Sequence, residues 1–129
     1  MMMRTRTGKR MLGLLTLALL TAMMSIPAPR AEGEDTVTVR GEVLDLACWL
    51  AHEAKGEGHA KCAQACVKGG QPMGLLTDKG TVYLLYAGHD DPAPFQAAME
   101  HAGGQVTITG KPADRGGMKG LEVQAVNAG

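Results

Sequence analysis

The sequence predicts a mainly β domain, a small five-stranded barrel of the OB-fold type with a helical, cysteine-rich insert between strands 1 and 2. Five short segments are β-branched or alternate apolar with polar residues, the pattern of half-buried strands. A helical segment separates the third of these strands from the fourth, which is the element order of the OB-fold. All three cysteines lie in residues 48–70, between the first two strands. An open antiparallel α+β sheet is the alternative.

Residues 1–31 are predicted to be a signal peptide. An uncharged, Leu- and Met-rich run from Met11 to Met24 precedes small residues at 25–31, and its apolar part is short for a membrane span. Cleavage is expected after Ala31, with a retained N-terminal anchor as the alternative. A cleaved signal peptide predicts a periplasmic or secreted protein without a membrane span. The basic residues at the start of this segment are Arg4, Arg6, Lys9 and Arg10.

The remaining residues, 32–129, are enough for a single domain. Residues 1–31 hold five of the 13 basic residues and none of the 13 acidic ones, which leaves eight against 13 and a formal charge of −5. Because nucleic-acid affinity depends largely on Lys and Arg at phosphates, nucleic acid is not an expected partner.

The first strand and the insert follow each other directly. Residues 36–44 alternate in the manner of a strand, with Gly41 as a bend or bulge. The period then changes, which predicts a short helical turn at 45–51. A flexible break at 55–58 precedes a helix at 59–68, which two glycines end.

The rest of the chain completes the barrel. Turn-forming residues at 77–80 predict a hairpin, and acidic residues and prolines start a helix at 90–101. Gly110 is a second candidate bend, and a turn is expected at 112–117. The remaining strands are predicted at 72–76, 81–86, 105–110 and 121–126.

A candidate metal site lies in the insert. His59, Cys62 and Cys66 follow the spacing i, i+3 and i+7, which puts them on one face of a helix. Cys48 lies upstream, and the flexible break lets the chain fold back towards them. One imidazole and three thiolates form a ligand set that zinc or copper(I) prefers. The sequence thus predicts a zinc or copper site that uses all three sulfurs.

Two other uses of the cysteines stay open. In an oxidising compartment Cys48 can pair with Cys62 or Cys66, which would make the chain a disulfide-stapled, non-catalytic module that binds a small ligand or another periplasmic protein. Alternatively, Cys62 lies near a helix N-terminus, where a thiolate is stabilised for redox catalysis. No CxxC motif or Ser/His/Asp set accompanies it, so a binding role is favoured over an enzyme.

Four neighbouring residues have a functional and a structural interpretation. His52 can replace His59 as a ligand, although an exposed surface histidine is favoured. Met73 can offer a thioether to copper(I), although a core position is favoured. Trp49 either covers the site or fills the core, and Asp45 caps the helical turn or accepts a hydrogen bond from a ligand histidine. Capping is the favoured role of Asp45.

These motifs resemble those of a family of small exported bacterial proteins of unknown function. The shared pattern is G-[ED]-V-x-D-x-x-C, a histidine shortly before C-x3-C-V-K-x-G, and an apolar hairpin, here residues 74–86, with a late segment matching 116–123. The resemblance implies an exported OB-like domain and no particular activity. The matching residues are Gly41, Glu42, Val43, Asp45, Cys48, His59, Cys62, Cys66, Val67, Lys68 and Gly70.

Overall fold

The computed structural model describes residues 35–129 and shows a closed barrel of five strands. The predicted signal peptide lies outside the described residues. Around the barrel the strands follow the order β1-β2-β3-β5-β4, with β3 and β5 parallel and the other neighbours antiparallel. The strands are β1 Val37–Asp45, β2 Met73–Thr77, β3 Val82–Ala87, β4 Gln105–Arg115 and β5 Met118–Ala128. The predicted OB-like barrel is confirmed.

The helices lie where the sequence predicts them. The insert between β1 and β2 contains α1 (Leu46–His52), a 3₁₀ turn (Glu57–His59) and α2 (Ala60–Lys68). A third helix, α3 (Ala93–Met99), connects β3 to β4. None of the helices in residues 35–129 is long and apolar enough to cross a bilayer.

The core is almost entirely aliphatic, because the sequence holds few aromatic residues. Leu75, Val106, Ile108 and Leu121 from the strands are fully buried. Met73 is also buried in this cluster, in agreement with the favoured core role. The insert contributes Ala63 and Val67 of α2 to the same cluster, so it is packed on the barrel as part of one core. The other members are Val43, Leu85, Ala98, Ala102 and Val123.

One predicted boundary is wrong. The turn expected at 112–117 is only two residues, because β4 continues through Pro112. Beyond Gly110 the register partners of β4 lie in β5, whereas β1 pairs with β4 only up to Gly110. Proline is tolerated in a strand where no ladder bond needs its missing N–H. Gly116 and Gly117 both have positive φ, +58° and +81°, as a two-residue hairpin requires.

Gly110 lies at a bulge as the sequence suggested, whereas the register of β1 with both neighbouring strands is continuous through Gly41. The register of β4 against β5 shifts between Thr109 and Gly110. A Cβ at Gly110 would overlap the carbonyl oxygen of Glu122, and one at Gly41 would overlap that of Leu76. Both glycines therefore allow neighbouring strands to approach more closely than a side chain would permit.

Candidate metal centre

Asp45 connects the barrel to the insert. It is the last residue of β1 and the N-cap of α1, and its Oδ1 accepts hydrogen bonds from the N–H groups of Ala47 (2.9 Å) and Cys48 (3.4 Å). The predicted capping role is therefore correct. Because Cys48 lies in the first turn of this capped helix, its position is determined by the end of β1.

The loop after α1 reverses the chain. Glu53 ends the helix at φ +53° and Gly56 has φ +81°. The N–H of Gly56 donates a hydrogen bond to the carboxylate of Glu42 on β1. This bond holds the predicted break against the barrel, and the following helix begins close to the first.

Helix α2 presents two different faces. Ala63 and Val67, four residues apart, are buried in the core, whereas Cys62 and Cys66 each precede one of them. The helix ends as the two glycines predicted, with Gly70 at φ +103°. Core packing of Ala63 and Val67 thus sets which way the two thiols face.

Contacts with the segment before β4 hold α2 in place. Gly103 lies so close to Ala60 that a Cβ there would be 2.5 Å from the Ala60 Cα. The side-chain amide of Gln64 donates to the Ala102 carbonyl oxygen at 3.3 Å. An exposed ion pair between Lys68 and Glu100, at 2.8 Å, adds little to stability. The close approach at Gly103 leaves no room for a side chain between this segment and α2.

The structure brings the predicted ligands together in two overlapping groups. Donor atoms of Cys48, Cys62 and Cys66 lie within 4.8 Å of one another, and so do those of Asp45, Cys48 and His59. In a tetrahedral site with Zn–S bonds of about 2.3 Å, two sulfurs lie about 3.8 Å apart. Side-chain adjustments of about 1 Å or less therefore bring the donors of either group to that spacing. His59 shares a group with Cys48 and Asp45 and not with Cys62 and Cys66, so Cys48 joins the two groups into one cluster that can hold a metal ion. All three cysteines are free thiols.

Two buried polar atoms of this cluster have no hydrogen-bond partner. They are Oδ2 of Asp45, a residue only 1% exposed, and Nε2 of His59. Buried polar atoms are normally paired, and an orphaned one requires an explanation. At the outer side Cys62 is exposed, whereas Cys48 and Cys66 are half-buried. The orphaned atoms therefore lie on the protein side of the cluster and a thiol lies on the solvent side.

The carboxylate of Asp45 controls the protonation of its neighbours. A hydrogen bond to Asp45, burial, and the charges of Asp45 and the other two cysteines raise the pKa of Cys48 to about 12. The pKa of Cys66 is also raised, first by its hydrogen bond to Asp45 and then by burial. Burial opposes ionisation of Asp45, but hydrogen bonds from the Cys48 thiol and N–H, the Cys66 thiol and Ala47 outweigh it and lower its pKa.

These shifts bear on redox catalysis. A thiol catalyst needs a lowered pKa, and the pKa values of Cys48 and Cys66 move in the opposite direction. A bound cation would reverse this effect, because it stabilises thiolates. Cys48 and Cys66 are thus better suited to binding a metal ion than to attacking a substrate, whereas the redox alternative rested on Cys62.

The remaining candidates take structural positions. His52 is exposed at the end of α1 and is not in either donor group found among residues 35–129. Trp49 is half-buried. Asp45 has a larger role than the sequence indicated. It was expected only to cap the helical turn or to accept a hydrogen bond from a ligand histidine. Its position at the end of the first strand, three residues before Cys48, could have indicated that its carboxylate lies beside the site.

Comparisons of the chain with protein-family models, with curated proteins and with solved structures found no match. The resemblance to exported bacterial proteins therefore stays a prediction. The functional argument depends on the geometry of the cluster.

Proposed function

We propose that this chain is an exported, single-domain protein that binds one zinc or copper(I) ion through Cys48, His59, Cys62 and Cys66. One observation carries the proposal: a buried Asp45 carboxylate, one oxygen of which has no partner stronger than a thiol, adjoins this cluster of thiols and imidazole. A buried charge is costly unless a counter-charge or a metal compensates it. Thiols are only weak hydrogen-bond donors, so a metal ion is the compensation that the surrounding groups support best.

The exposure of Cys62 supports an exchangeable ion. Sealed structural zinc sites hold four protein ligands away from solvent. Here one thiol faces solvent, and another protein or a small chelator can reach it. A carrier or buffer of metal ions is thus favoured over a purely structural site. Residues 1–31 have the pattern of a signal peptide, which supports the proposal that the protein is exported.

Native and denaturing mass spectrometry tests the proposal. The protein is purified from periplasm without chelator, reduced, and loaded with Zn²⁺ or Cu(I) alone. We expect a native mass excess of one ion that is lost on denaturation, and a chain that starts at Glu32. Cys66→Ser and His59→Ala should lose most of the metal.

Two control variants separate ligand loss from general damage. His52→Ala removes the exposed histidine of the same insert, and Ala65→Ser adds a hydroxyl at an exposed position of α2. Both should retain the ion. A reduced wild-type protein that binds neither ion would refute the proposal. A mass two hydrogens light as purified, without a metal adduct and restored by reductant, would favour the disulfide alternative.

A further inference from the structure

We infer that Asp45 makes this site selective for a divalent ion of the zinc class over copper(I). The inference rests on the proposed metal site and names the ion that the site takes. Copper(I) is a soft monovalent ion that thiolates satisfy, whereas carboxylate oxygens suit harder cations, and zinc accepts both. A carboxylate within the donor cluster therefore discriminates between the two ions.

The two oxygens of Asp45 have separate roles. Oδ1 caps α1 through the N–H groups of Ala47 and Cys48. Oδ2 is buried and accepts no hydrogen bond from an N–H group, so the only donors left to it are the weak thiols of Cys48 and Cys66. A carboxylate oxygen of Asp45 also lies within 4.8 Å of donor atoms of Cys48 and His59. The cap thus holds the carboxylate in one orientation, beside the four proposed ligands, where its charge acts on a bound ion.

The backbone of Asp45 is equally constrained. It pairs with Met73 at the end of the β1–β2 ladder, and the residue is 1% exposed. Its side chain therefore cannot turn to solvent without breaking the cap. A negative charge in this position faces the cluster whether or not an ion is bound.

The charge balance favours a divalent ion. The two donor groups, which share Cys48, together hold three thiols and one carboxylate, and these carry four negative charges when all are ionised. Copper(I) leaves three of these charges uncompensated and Zn²⁺ leaves two. Because like charges repel more strongly in a partly buried site than in water, the ion with the larger charge is favoured. The hydrogen-bond donors to Asp45 are backbone N–H groups and thiols, none of which is cationic, and a histidine that binds a metal ion is neutral.

The substitution Asp45→Asn isolates this effect. Asparagine has nearly the same shape and is also a good N-cap, so it removes the charge and retains the helix cap. We expect the Zn²⁺ affinity to fall about 10- to 100-fold and the copper(I) affinity to change much less. Competition against chelators of known affinity, under anaerobic and reducing conditions, measures both ions on the same protein.

Two further variants complete the design. Asp45→Ser keeps a capping oxygen and removes the carboxylate, and it replaces the asparagine variant if that one does not fold. Glu57→Gln removes one negative charge from an exposed position of the same insert. The glutamine variant should keep the wild-type ratio of Zn²⁺ to copper(I) affinity, because its charge is screened by solvent.

The outcomes are distinct. A fall in the ratio of Zn²⁺ to copper(I) affinity in Asp45→Asn or Asp45→Ser, but not in Glu57→Gln, supports the inference. Equal losses for both ions, or no loss, would show that Asp45 is only a helix cap and would overturn it while the proposed function stands. A wild-type protein that binds neither ion would overturn both.

Discussion

Metal affinity should rise steeply with pH, because two of the candidate ligands hold their protons firmly. The hydrogen bond to Asp45, followed by burial, raises the pKa of Cys48 to about 12 and also raises that of Cys66. Both are therefore protonated thiols near neutral pH in the metal-free protein. A thiol must lose its proton to bind a metal ion. Binding thus releases at least two protons.

The size of the effect follows from that count. Each released proton contributes about a tenfold rise in affinity per pH unit, so two give about a 100-fold rise between about pH 6.5 and about pH 7.5. The sign is definite: acidification weakens binding, because protons compete for the sulfurs.

Competition against a chelator of known pH dependence measures this slope. The logarithm of the Zn²⁺ affinity of the reduced protein should rise by about two or more per pH unit. Cys48→Ser should lower the slope by about one, because a serine hydroxyl does not release a proton in this range. A wild-type slope below about one would refute the assignment of Cys48 and Cys66 as ligands.

Two packing predictions concern the free energy of unfolding, measured with urea. Gly103→Ala should lower it by about 2–4 kcal/mol. The positive φ of +83° costs about 1 kcal/mol, and the new Cβ, 2.5 Å from the Ala60 Cα, costs about 1–3 kcal/mol more. The control Gly56→Ala, at φ +81° with open space around it, should lose only about 1 kcal/mol. Equal losses in the Gly103 and Gly56 variants would contradict the close contact between Gly103 and Ala60. Leu75→Ala, at a fully buried position, should lose about 2–5 kcal/mol. The control Leu50→Ala, 74% exposed, should stay within about 0.5 kcal/mol, and similar losses at both positions would contradict the described core.

Local patterns were sufficient to predict most of the architecture. Strand alternation, the helix ended by two glycines and the order of the elements are encoded within a few residues of each position. The spacing of His59, Cys62 and Cys66 is equally local, because it follows from helical geometry. The prediction that the insert lies between the first two strands needed only their order in the chain.

Contacts between segments distant in the chain could not be predicted from local patterns. The end of β4 was misplaced because Pro112 signals a turn locally, whereas pairing with β5 carries the strand on to Arg115. Nothing local distinguished Gly103 from other loop glycines, although it is the one that lies against Ala60. Such roles depend on which surfaces meet in the folded chain.

The sequence by itself therefore determined the barrel class, the insert and the identity of four candidate ligands. Tertiary structure alone decided that Cys48 returns to within 4.8 Å of Cys62 and Cys66, and that Asp45 is buried beside them. The physical reason is that periodicity reports which residues share one element's face. Burial and the distance between two elements depend on how the closed barrel and its insert pack together.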